Sequence, residues 1–136
     1  MEDENLLEKK RREYKAYLPM FCPAVNERVI FNADGFGHLR FHLDGSARKP
    51  KEQIYKLSLL PLVRSAIRLA HVVGHEKRFA PVNRKKRHGH RVLREVDYWG
   101  LEAKVGKRKT IVRVILRKIG DGKLHFWSVM RVRKKH

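Results

Sequence analysis

The chain has 136 residues, with 33 Lys and Arg against 14 Asp and Glu, a formal net charge of +19 and a pI of about 10.6. This length suits one folded domain, and the 42% hydrophobic content excludes a wholly disordered basic tail. No apolar run approaches the roughly 18–20 residues of a membrane span, and a single Cys22 excludes an intramolecular disulfide or a Cys-rich zinc finger.

In chain order, residues 2–18 read as a charged helical arm, with Leu6, Leu7, Tyr14 and Tyr17 on one thin stripe, ended by Pro19 and Pro23. The N-terminal run MEDENLLEKKRREYK has no apolar stretch suited to a secretory signal, so a cytoplasmic location is expected. Val29 and Phe31 alternate with polar neighbours and predict a short strand. Asn32-Ala33-Asp34-Gly35 and Asp44-Gly45-Ser46 read as turns, and Gly37–Leu43 as either a strand or the first turn of a helix. Residues 50–73 carry the strongest helical pattern, with Ile54, Leu57 and Leu60 followed by Leu62, Val63, Ala66, Ile67, Leu69 and Ala70. Pro61 predicts a kink or two short helices, the second starting near Pro61, and Gly74 is the expected C-terminal stop. Residues 77–91 read as a basic loop dominated by Arg84, Lys85, Lys86 and Arg87. Beyond it the period changes to two. Residues 96–105, 109–119 and 123–132 predict three strands joined by hairpin-length turns. The expected class is α+β: N-terminal helices packed on one face of a three- to four-stranded antiparallel sheet, in a single domain over 19–136.

Alternation assigns the faces of that sheet. One set is apolar and should pack on the helices: Trp99, Leu101, Ala103 and Val105, then Val112, Val114 and Leu116, then Leu124, Phe126, Met130 and Val132, with Ser128 among them. The other set mixes rings and charges: Tyr98, Glu102 and Lys104, then Ile111, Arg113, Ile115 and Arg117, then His125, Trp127, Val129 and Arg131. Guanidinium groups interleaved with aromatic rings suit RNA, the first for phosphate and the second for bases.

The charge is also uneven. Residues 77–136 hold 20 basic and 4 acidic residues, whereas residues 1–76 hold 13 and 10. A surplus this dense repels itself unless a polyanion faces it, and nucleic acid is the first candidate. The expected nucleic-acid contacts are Arg84, Lys85, Lys86, Arg87, Tyr98, Arg117, Trp127 and Arg131. The chain lacks a phosphate-binding GxxxxGK[ST] loop, a GxGxxG and a nucleophile elbow. His38 and His42 have the spacing of a helical metal pair, but Arg40 lies between them and no Glu or Cys stands near, so neither metal nor cofactor is expected. What remains is proton transfer on a phosphate. His38, His42 and His125 are the candidate proton movers, His38 and His42 favoured, and Arg113, Arg117 and Arg131 the candidate phosphate clamps, Arg113 favoured, with Tyr98 and Ser128 able to hydrogen-bond phosphate or ribose. Glu102, His125 and Tyr98 form an alternative acid–base set on the sheet. Cys22 lacks any local motif that would activate it.

The order of helices and then an antiparallel sheet ending in Leu124-His125-Phe126-Trp127-Ser128-Val129-Met130-Arg131, with Gly37-His38-Leu39-Arg40-Phe41-His42 upstream, resembles the Barnase–EndoU–colicin–RelE (BECR) superfamily of small RNase toxins and related phage nucleases. The resemblance covers roughly residues 27–132, and His38, His42, Arg113 and Ser128 stand where it places functional residues. It implies a cofactor-free endoribonuclease acting through the 2′-hydroxyl, with RNA as substrate and an acidic antitoxin or immunity protein as partner. The competing readings are a non-catalytic RNA-binding module, such as a ribosome-associated protein, and a basic adaptor docking on an acidic protein.

Overall fold

A computed structural model describes residues 5–42, 44–82 and 92–133. Helix α1 (Leu6–Lys15) starts at Asn5, whose side chain accepts a hydrogen bond from Glu8 N, and ends on Lys15, so both ends suit the helix dipole. It is no loose arm. Tyr14 is buried, donates to Asn32 O at 2.6 Å and packs against Tyr17, Phe31, Phe36 and Phe126. A two-stranded hairpin follows, β1 (Met20–Cys22) and β2 (Glu27–Val29), with Cys22 buried in the core. Burial pushes the Cys22 thiol above its usual pKa, which leaves it a poor nucleophile.

Asn32 is not a turn residue but the cap of α2 (Ala33–Arg40), accepting from Gly35 N. His38 therefore lies in the last turn of a helix and His42 just beyond its end. The long helical pattern divides as Pro61 requires, into α3 (Pro50–Ser58) and α4 (Leu60–Leu69), with Pro61 inside the first turn of the second. Leu60, Val63, Ala66 and Ile67 form the buried stripe of α4, while Ile54, expected on the stripe of α3, is exposed. Helix α4 ends at Leu69, before Gly74. The segment expected to continue it and then loop is instead a strand, β3 (His71–Val82), and Gly74 sits at a register shift within it.

Strands β3, β4 (Val92–Val105), β5 (Thr110–Ile119) and β6 (His125–Arg131) form an antiparallel meander in that order. The fold is thus α+β, with the helices ahead of the main sheet. Helix α4 lies on β4 and β5, against Leu101, Ala103, Val105, Val112, Val114 and Leu116, as the alternation predicts. The third strand departs from the prediction. Ile115 pairs with Ser128 but Leu116 pairs with Phe126, so Trp127 is the extra residue of a β-bulge. An inserted residue reverses the alternation beyond it. Val129, expected on the mixed face, is fully buried opposite Val114, while Ser128 and Met130 leave the core set to pair with Ile115 and Arg113. The outer edge of β6 is closed in part by Ile30, which donates to Leu124 O and accepts from Phe126 N, both at 3.0 Å.

Helix α2 approaches this edge through a glycine. A Cβ built on Gly35 would lie 2.2 Å from Phe126 O, whereas one on Gly37 would meet nothing within 4 Å. Gly35→Ala is therefore expected to destabilise the protein by about 1–3 kcal/mol in urea denaturation through forced overpacking. Gly37→Ala, in the same helix, should be neutral or stabilising by up to about 1 kcal/mol. Equal stabilities for the two variants would mean that α2 does not sit against the backbone of β6.

Candidate active site

Four elements bring charged and aromatic side chains together at the bulge. Bulging directs Trp127 toward α2 and β5, where its ring stacks on His38 with centroids 4.0 Å apart and planes 11° off parallel. The Arg117 guanidinium lies 3.6 Å from the same ring centroid. Two groups cannot occupy one side of a ring at such distances, so Trp127 is sandwiched between imidazole and guanidinium. Arg117 (5% exposed) is also oriented from its own sheet. Its Nε donates to His125 Nε2 at 2.9 Å, and one terminal nitrogen lies 3.5 Å from Asp34 Oδ2. His125 Nδ1 faces Lys123 O at 3.1 Å. A carbonyl can only accept, so Nδ1 carries the proton and Nε2 receives Arg117. Both nitrogens of His125 are thereby committed, and burial holds its pKa below the usual histidine range. It positions Arg117 rather than moving protons.

On the other side of His38 stands Arg48, just before α3. Its Nε donates to His38 O at 2.9 Å, and its terminal nitrogens lie 3.4 Å from His38 Nε2 and 3.4 Å from His42 Nδ1. Glu52, in the first turn of α3, holds the guanidinium in an ion pair. One turn further, Lys56 Nζ reaches across to β6, donating to Ser128 Oγ at 3.2 Å and to Val129 O at 3.3 Å. His38 is thus ringed by Arg48, Lys56 and Arg117. Burial first, then these three cations and His42, lower its pKa to about 4, so the imidazole is neutral at pH 7. Burial and Arg48 also lower the pKa of Lys56. A guanidinium standing between His38 and His42 repels a metal ion, and among the described residues no three His, Cys, Asp or Glu side chains gather as ligands.

The expected site residues therefore separate. His38, His42, Arg117, Trp127 and Ser128 converge on one centre. Tyr98 stands opposite Arg117 on β4, with the Arg78 guanidinium over its ring. Arg113 lies elsewhere, four residues along β5 from Arg117, with Nε donating to Glu102 Oε2 at 2.8 Å. This pair occupies both the expected phosphate clamp and one alternative proton mover. Arg131 is exposed near the far end of the sheet. Arg84, Lys85, Lys86 and Arg87 fall outside the described residues. The residues missed in the sequence are Arg48, Glu52 and Lys56. Their spacing of four puts Glu52 and Lys56 on one face of α3 with Arg48 just ahead of it, a signal outweighed by the apolar pattern around Leu57. An open groove of about 580 Å³ adjoins the cluster, sharing Asp34, Arg117 and His125 with it and adding Arg94 and Lys123.

None of the described helices is long and apolar enough to cross a membrane. No protein-family model, curated protein or solved structure matches the chain.

Proposed function

We propose that this protein is a small metal-independent endoribonuclease of the toxin type, akin to the BECR superfamily, acting on RNA in the cytoplasm. One observation carries the reading: three cations, Arg48 just before α3, Lys56 on α3 and Arg117 on β5, converge around the neutral imidazole of His38 on α2, and Arg117 also lines the adjoining groove. Transphosphorylation of RNA needs a base for the 2′-hydroxyl, positive charge on the phosphoryl oxygens and an acid for the leaving group. His38 takes the 2′-hydroxyl proton. The freed 2′-oxygen attacks phosphorus while Arg48 and Arg117 hold the non-bridging oxygens. The bond from phosphorus to the 5′-oxygen breaks, and Lys56 protonates the departing oxygen; Ser128 holds Lys56 in place. The products are a 2′,3′-cyclic phosphate and a 5′-hydroxyl. An acidic antitoxin or immunity protein is the partner this reading implies.

Against a purely stacking RNA-binding module stands the occupancy of Trp127: His38 and Arg117 cover both sides of its ring, so no base can stack on it. End analysis of labelled RNA incubated with the protein in EDTA decides between the two. Fragments ending in 2′,3′-cyclic phosphate with 5′-hydroxyl partners are expected. Binding without cleavage would leave the RNA-binding module as the function.

A further inference from the structure

A second groove, of about 590 Å³, lies at the other end of the sheet, where the β4–β5 turn meets the end of β6. Its rim carries five cations: Lys104, Arg108, Lys109, Arg131 and Arg133. No carboxylate lines it, and among the described residues none of the five forms an ion pair. This contrasts with Arg48, Lys77, Arg113 and Lys118, each neutralised by a carboxylate. Clustering five uncompensated charges costs repulsion that a bound polyanion would relieve. Lys109 occupies the left-handed region at φ 54° in the β4–β5 turn that carries Arg108 to the groove.

The groove wraps the end of the sheet: Lys104 and Ile111 lie on the face that carries Arg117, whereas Leu59 and Leu62 come from the helix side and Arg131, beyond the bulge, pairs with Val112 on that side. Ile111, on the groove floor, and Arg117 are six residues apart on β5 and point the same way, which separates them by about 20 Å at the rise of an extended strand. Arg113 lies between them. We propose that this groove is a separate binding site for the phosphodiester backbone of RNA, holding the strand some nucleotides away from the point of cleavage. The choice of RNA as ligand rests on the function proposed above. The consequence is a preference for long over short RNA that the active site alone does not confer.

The test is anisotropy with a fluorescein-labelled 2′-O-methyluridine decamer and the matching dinucleotide, whose blocked 2′-oxygen prevents cleavage, in EDTA, on the full chain. The variant Lys104→Glu/Arg108→Glu/Lys109→Glu is compared with Lys9→Glu/Lys15→Glu/Arg68→Glu, an equal charge change at exposed positions away from both grooves. The groove variant is expected to bind the decamer at least about tenfold more weakly than the control. Its log–log salt slope should fall by about 2, the loss of three phosphate contacts on a single strand. Binding of the dinucleotide should match the control. Circular dichroism confirms that both variants are folded. The proposal fails if groove and control variants bind the decamer alike, or if decamer and dinucleotide weaken together. It also fails if labelled polyglutamate occupies the groove more tightly than the decamer, which would assign the site to an acidic protein. Binding and cleavage are read separately, so a parent protein that never cleaves RNA overturns the nuclease reading while the anisotropy still decides the groove.

Discussion

A Val114→Asp variant is expected to be unfolded at neutral pH. Val114 is at the centre of β5, fully buried, paired with Leu101 of β4 on one side and Val129 of β6 on the other. A carboxylate there has no cation within its layer, because the neighbouring buried groups are aliphatic. Burying an unpaired charge costs several kcal/mol, on the order of the whole stability of a domain this size. Arg113→Ala, one residue away, removes only an ion pair to Glu102 on the opposite face and should change stability by about 1 kcal/mol or less. Loss of the cooperative thermal transition in the first variant and its retention in the second is the expected pair of results. A cooperative melt for Val114→Asp would mean that α4 does not cover this face.

The second large effect concerns His38. His38→Ala and His38→Phe should each lower RNA cleavage by roughly 10²–10⁴-fold, the usual loss of a general base. The phenylalanine variant preserves a ring against Trp127, so loss in both separates proton transfer from packing. Arg113→Ala should cleave within a few fold of the parent, because Arg113 lies four residues along β5 from Arg117, paired with Glu102 and apart from His38. The pH profile adds an independent reading. A base works only when unprotonated, so the rate falls as pH drops through its pKa. Burial and the surrounding cations hold His38 at about 4 in the free protein, and the acid limb of kcat/KM should lie near that value rather than near 6.5. A bound phosphate offsets the same cations and raises the pKa, so the acid limb of kcat should lie at higher pH than that of kcat/KM. Parental rates for His38→Phe, or an acid limb unmoved by the substitution, would remove His38 from the mechanism.

Much of the architecture was legible in the chain, for reasons that are local. Val112, Val114 and Leu116 alternate with charged or half-buried neighbours, and a period of two permits only one face to be buried. Pro61 cannot continue a preceding helix, so the division of the helical stretch near it follows from backbone chemistry. The class follows from the order of these patterns. Strand β3 escaped because nine successive exposed residues have no buried face for alternation to report; its backbone is held by pairing with β4 alone.

The candidate site was legible only in part, and the missing part is non-local. His38, His42, Arg117, Trp127 and Ser128 were recognisable as residue types suited to RNA, but their assembly depends on one inserted residue. A β-bulge has no signature in the hydrophobic period of its own strand; it appears only where β6 meets β5, and there it turns Ser128 away from the core and directs Trp127 onto His38. Arg113 stands apart from the cluster with Glu102 directly across the ladder from it, a pairing set by register between strands. Lys56 meets Ser128 across 72 residues of sequence. Local periodicity determines which face of an element is apolar. Which polar side chains meet depends on how distant elements are brought together, and that is a property of the packed chain.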